Sequence, residues 1–175
     1  MIQLTQKHLQ TIRTHTESTY PDESCGIILG YLDNERKTVI EVIPTENIWN
    51  TEAATEFPGE HTAESKRRQY AMSTTGYAYA PEVMLKMQKE ARVSEARRGS
   101  EARSLNIIGI FHSHPDHPAI PSECVGVASR RHRLYAWQGY SYIIISVQNG
   151  KSGELLSWSL DDCHQFQAEA IENLI

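Results

Sequence analysis

The sequence predicts a mixed α/β fold in which a central mixed sheet is flanked by helices, and three observations carry that expectation. Two pairs of strand-like runs, 24–31 with 37–44 and 140–147 with 154–160, are each joined by a strong turn signal. Helical patterns open at Thr5 and Pro81, so helices and hairpins are interspersed rather than strictly alternating as in a doubly wound parallel fold. The length of 175 residues suits one domain, 1–175, that can bury a core without disulfides or metal staples.

Along the chain, Leu9 and Ile12 stand at helical spacing behind Thr5, a good N-cap, which predicts a helix over 5–19. Tyr20, Pro21 and Asp22 end it. The apolar run 24–31 reads as a buried strand, Asp33 to Arg36 as a turn, and 37–44 as its hairpin partner. Residues 45–60 are polar and loop-like, with a short helix or irregular connection over 61–70. Pro81 suits the first position of a helix whose stripe is Val83, Met84 and Met87. Glu-Ala-Arg recurs at 90–92, 95–97 and 101–103 with irregular spacing, which fits an exposed helical extension or insertion rather than a structural repeat. The β-branched run 105–111 predicts a buried strand, and Asn149-Gly150 predicts a tight turn between the last two strands. The tail from Asp161 is expected to close as a short helix.

Charge and composition exclude several classes. A net charge of −5 argues against general affinity for nucleic acid or membrane surfaces. Residues 86–103 hold six basic and three acidic side chains, and Arg130, Arg131 and Arg133 form a second basic cluster; both read as solvated faces, suited if anything to an acidic protein partner. No stretch approaches the roughly 18 apolar residues of a membrane span, and the start lacks a secretion signal, so a cytoplasmic location is expected. Cys25, Cys124 and Cys163 are an odd number without metal-type pairing; Cys25 reads as a small core residue.

The chemistry concentrates at His112-Ser113-His114-Pro115. Residues two apart in an extended segment project to the same side, so His112 and His114 can present two imidazoles to one ion at the end of the strand over 105–111. Pro115, Pro118 and Pro121 then force the chain out of the sheet as a loop, and Ser122 with Glu123 looks like a helix start.

These histidines together with Ser122 resemble the motif of the JAMM/MPN metalloproteases: His-x-His, seven residues, Ser, two residues, Asp. Two further segments extend the likeness. Residues 21–30, with Glu23 just ahead of the first apolar run, resemble the segment that carries the family's catalytic glutamate, and 136–142 resemble small stand-alone bacterial members. The resemblance implies a single JAMM/MPN-like domain in which zinc is the cofactor, His112 and His114 are metal ligands, Glu23 is the general base and Ser122 the oxyanion donor. It further implies cleavage of peptide or isopeptide bonds behind the C-terminal glycines of a ubiquitin-like or sulfur-carrier protein.

One position departs from the motif. The aspartate ligand would stand three residues after Ser122, where this chain has Val125, which cannot coordinate zinc. If residues 125–131 are an insertion that loops out, His132 reaches the ligand position; on an unbroken helix it would lie about 15 Å away. Asp116, His117, Glu123 and Cys124 are the other candidates. Residues 73–79 and 93–101 likewise read as insertions. The competing function is therefore a protein-binding module that keeps the fold but lacks the aspartate ligand. A further alternative is metal-independent hydrolysis by Cys124, which needs a histidine partner.

Overall fold

The computed structural model describes residues 1–47, 105–121, 138–163 and 165–174. They form one eight-stranded sheet and one helix: β1 (Ile2–Thr5), α1 (Gln6–Thr19), β2 (Cys25–Asp33), β3 (Arg36–Thr45), β4 (Asn106–Pro115), β5 (Ser141–Gln148), β6 (Lys151–Leu160), β7 (Phe166–Glu169) and β8 (Ile171–Leu174). The spatial order is β7-β6-β5-β4-β2-β3-β1-β8. The β1–β3, β1–β8 and β4–β5 pairs are parallel, and the others antiparallel, so the sheet is mixed as expected.

Local chemistry explains the elements. Thr5 caps α1: its hydroxyl accepts the His8 amide at 3.3 Å while the His8 ring accepts the Thr5 amide at 3.2 Å, an arrangement in which histidine fills the role usually taken by glutamate. Ile12 and Thr16 are fully buried on the inward face of α1, which packs with Leu9 against Ile28, Phe111, Ile143 and Ile145. Both hairpins turn on residues with positive φ, Asn34 at 53° in one, Asn149 at 49° with Gly150 at 74° in the other; the latter pair suits a two-residue turn that follows the twist of β5 and β6. At the parallel β4–β5 seam a Cβ on Gly109 would lie 2.5 Å from the Ser141 carbonyl oxygen, so glycine is what lets the two strands close.

Two expectations change here. The short C-terminal helix is not formed: after Asp161 the chain makes β7 and β8. The physical reason is pairing. Unfilled edges of β6 and β1 offer main-chain partners, and the tail satisfies both by bending at Ala170, whose carbonyl accepts the Ile2 amide at 3.0 Å. Glu169 at the bend is buried; it bonds Ser141 (2.6 Å) and Ser157 (2.7 Å) and pairs with Lys37 at 3.0 Å, which ties β7 to β3, β5 and β6. The second difference is that the described residues are mostly strand with a single helix and a sheet whose edges nearly meet, rather than a sheet flanked by helices. The helix expected from Pro81 and the insertions at 73–79, 93–101 and 125–131 lie outside the described residues. β1 was not anticipated either, because four residues ahead of a helix cap carry no periodic signal. Among the described residues no helix is long and apolar enough to cross a membrane.

Candidate metal centre

The site is built by the β2–β4 ladder. Cys25 pairs with His112 in antiparallel register. Continuing outward by one residue brings Ser24 to Ser113, and there the side chains take over: the Ser113 hydroxyl accepts the Ser24 amide at 2.8 Å and the Ser24 hydroxyl at 3.0 Å, while the Ser113 amide donates to the Ser24 carbonyl at 3.0 Å. Glu23 stands two residues ahead of Cys25, just before β2 begins. Because directly opposed residues share a face and neighbours alternate, Cys25, His112 and His114 lie on one side of the sheet. The serines and Phe111 point to the other, where α1 packs.

The imidazoles converge. His112 Nε2 and His114 Nε2 lie 3.1 Å apart. His114 Nδ1 is 2.8 Å from the Pro118 carbonyl oxygen, and since a carbonyl can only accept, Nδ1 carries the hydrogen and Nε2 is left with its lone pair facing His112. This is how a ligating histidine is usually oriented from behind. Burial first, then the neighbouring imidazole, holds His112 well below the ordinary histidine range; burial also lowers His114, against a raising effect of the Pro118 carbonyl. Both rings are thus neutral near pH 7, the form that binds metals. Glu23, 5% exposed and two residues ahead of Cys25, is pushed by burial up to about 8.

These features fit part of a zinc site. Two nitrogens sharing a tetrahedral zinc at about 2.0–2.1 Å stand roughly 3.3 Å apart, close to the observed separation. Among the described residues, however, no group of three or more His, Cys, Asp or Glu side chains is placed to hold a metal ion. The missing donor is not Asp116: its two carboxylate oxygens accept the Asn149 amide and the Tyr20 hydroxyl, each at 3.0 Å. Cys25 is buried in the core as expected, its thiol raised to about 11 by burial, with Thr45 Oγ1 3.4 Å away. Ser122, Glu123, Cys124, Val125 and His132 lie outside the described residues. Sequence reasoning missed the Ser24–Ser113 lock and the Pro118 carbonyl. Ser113 is signalled by its place between two histidines that share the opposite face of the strand; the direction of a carbonyl leaves no trace in sequence.

Comparison with known proteins bears on the family and the fold. A family model described as prokaryotic homologs of the JAB domain matches residues 5–161. A protein of Desulfitobacterium hafniense known from its solution structure is similar at 23% identity, with a TM-score of 0.57 over 99% of this chain and 93% of that one. A Salinibacter ruber protein, also solved in solution, is 25% identical, with a TM-score of 0.53 over 99% and 92% of the two chains. A JAB1/MPN domain protein from Archaeoglobus fulgidus aligns at 14% identity and a TM-score of 0.47, covering 99% of this chain and 98% of that one. No curated protein matches. With its motif segments in order and the family model spanning most of its length, the chain belongs to the prokaryotic homologs of the JAB domain.

Proposed function

We propose that the protein is a zinc-dependent hydrolase of peptide or isopeptide bonds. The observation that carries this reading is the convergence of His112 and His114 at the end of β4, paired through His112 to Cys25, two residues after the buried carboxyl of Glu23. His112 and His114 would hold the metal through Nε2. A bound zinc lowers the pKa of its water to about 7 and polarises a carbonyl as a Lewis acid. Glu23 then has the chemistry of a general base: its carboxylate takes a proton from the attacking water and returns it to the leaving amine. A carboxyl raised to about 8 when no cation is near becomes an ionised acceptor at neutral pH once a positive charge is beside it. Ser122, separated from His114 by seven residues, would donate to the tetrahedral oxyanion, where charge develops.

The substrate class we infer is a C-terminal conjugate of a ubiquitin-like or sulfur-carrier protein, handled in the cytoplasm without nucleic acid or membrane. A specific observation favours a second reading. Val125 stands where the motif has its aspartate, which suits a binding module that keeps the fold and has lost the metal. Turnover decides between them: zinc-loaded protein should cut such a conjugate behind its C-terminal glycine, freeing the glycine carboxylate and the attached amine, and Glu23→Gln should keep zinc but abolish cleavage. Zinc binding without any turnover, or equal turnover by Glu23→Gln, would remove the proposed mechanism.

A further inference from the structure

We propose that Asp116 is a positioning residue that orients His114 toward His112, an inference that rests on the reading of His112 and His114 as metal ligands. His114, Pro115, Asp116 and His117 form a reverse turn in which the His117 amide approaches the His114 carbonyl at 3.4 Å. Proline in the second place and a positive φ of 56° at Asp116 in the third match a type II turn, a place where glycine or asparagine is the usual choice. A left-handed backbone at aspartate is unfavourable. Here the side chain and amide compensate. The Asp116 amide donates to the Val147 carbonyl at 2.7 Å, Oδ1 accepts the Asn149 amide and Oδ2 accepts the Tyr20 hydroxyl.

The topology gives those bonds their meaning. Tyr20 lies three residues before Glu23, and Asp116 two residues after His114, so the Tyr20–Asp116 bond bridges the two chain segments that carry base and ligand. Asn149 anchors the same carboxylate to the β5–β6 turn. The turn that results delivers the Pro118 carbonyl to His114 Nδ1, and that contact frees Nε2 to face His112. Asp116 therefore acts on the metal centre through His114 and not as a donor to the ion.

Zinc affinity by chelator competition, with nitrogen NMR of the His114 ring in the metal-free protein, separates the two roles. Asp116→Asn keeps an acceptor for Asn149, offers an amide to the Tyr20 oxygen and tolerates the left-handed backbone, so it should bind zinc as the parent does. Asp116→Ala should bind about tenfold more weakly, the low end for groups that orient a ligand, and should lose the protonated-Nδ1 form of His114. Tyr20→Phe should shift both readouts in the same direction by a smaller factor and add nothing to Asp116→Ala; it also carries the test if Asp116→Ala fails to fold. If Asp116→Asn is as weak as Asp116→Ala while Tyr20→Phe is unchanged, Asp116 is a ligand and the proposal is wrong. Parent-like zinc affinity and His114 spectrum in Asp116→Ala would equally overturn it. Should the parent itself take up no zinc, the metal reading fails, and the His114 spectrum alone still decides the positioning role.

Discussion

Ser24 and Ser113 face each other where the β2–β4 ladder ends, their hydroxyl oxygens 3.0 Å apart, with the Ser24 amide bonded to the Ser113 hydroxyl at 2.8 Å. A side chain here completes a main-chain ladder, and it does so one residue from both His112 and His114. A slip at this pair would shift Cys25 relative to His112, because a strand moved by one residue presents its other face.

Ser113→Ala should therefore destabilise the fold out of proportion to one lost hydroxyl. It leaves the buried Ser24 amide without its acceptor, a loss of about 1–3 kcal/mol. Urea denaturation at constant m-value measures this; a midpoint equal to the parent's would show that the hydroxyl is dispensable.

Glu23 should weaken the zinc-free fold as pH rises. Its carboxyl is raised from 4.5 to about 8, so the folded state holds the proton more tightly than the unfolded chain does. That contribution is complete below 4.5 and is lost as pH climbs to about 8. Zinc-free Glu23→Gln should match the parent at pH 4 and exceed it at pH 9, by at most about 4–5 kcal/mol at 1.36 kcal/mol per pH unit. Parallel stability curves for the two proteins would contradict this.

Glu169 works in the opposite sense. Burial pushes its carboxyl up, but the bonds from Ser141 and Ser157 and the Lys37 ammonium outweigh it and hold the group below 4.5. Its stabilisation is present above 4.5 and is lost as pH falls through the depressed value. Glu169→Gln, which strands a buried Lys37, should lower stability at pH 7 by about 3–5 kcal/mol and show a shallower decline between pH 4.5 and pH 3. Thermal melts at these pH values test both parts, and a parent-like acid decline in the variant would assign that sensitivity elsewhere.

Much of this was legible in the sequence where the signal is local. The α1 cap at Thr5, the Asn149-Gly150 turn and the two hairpins follow from short-range chemistry, and so does the shared face of His112 and His114. What the sequence could not convey depends on distant partners. The tail 166–174 looks helical by composition, yet it pairs with β6 and β1 because those edges are open. Glu23 is assigned its role by resemblance alone; the Cys25–His112 register, which joins segments far apart in the chain, is what brings its segment to the histidines. Asp116 was a candidate ligand by proximity, and only its bonds to Tyr20 and Asn149 show that its oxygens are already engaged.

Zinc stoichiometry after metal stripping and reconstitution tests the central claim most directly. The expected result is about one tightly held zinc per chain, as a three-ligand site requires, with loss of binding in His112→Ala and in His114→Ala. No zinc retained by the parent, or undiminished zinc in both histidine variants, would contradict it.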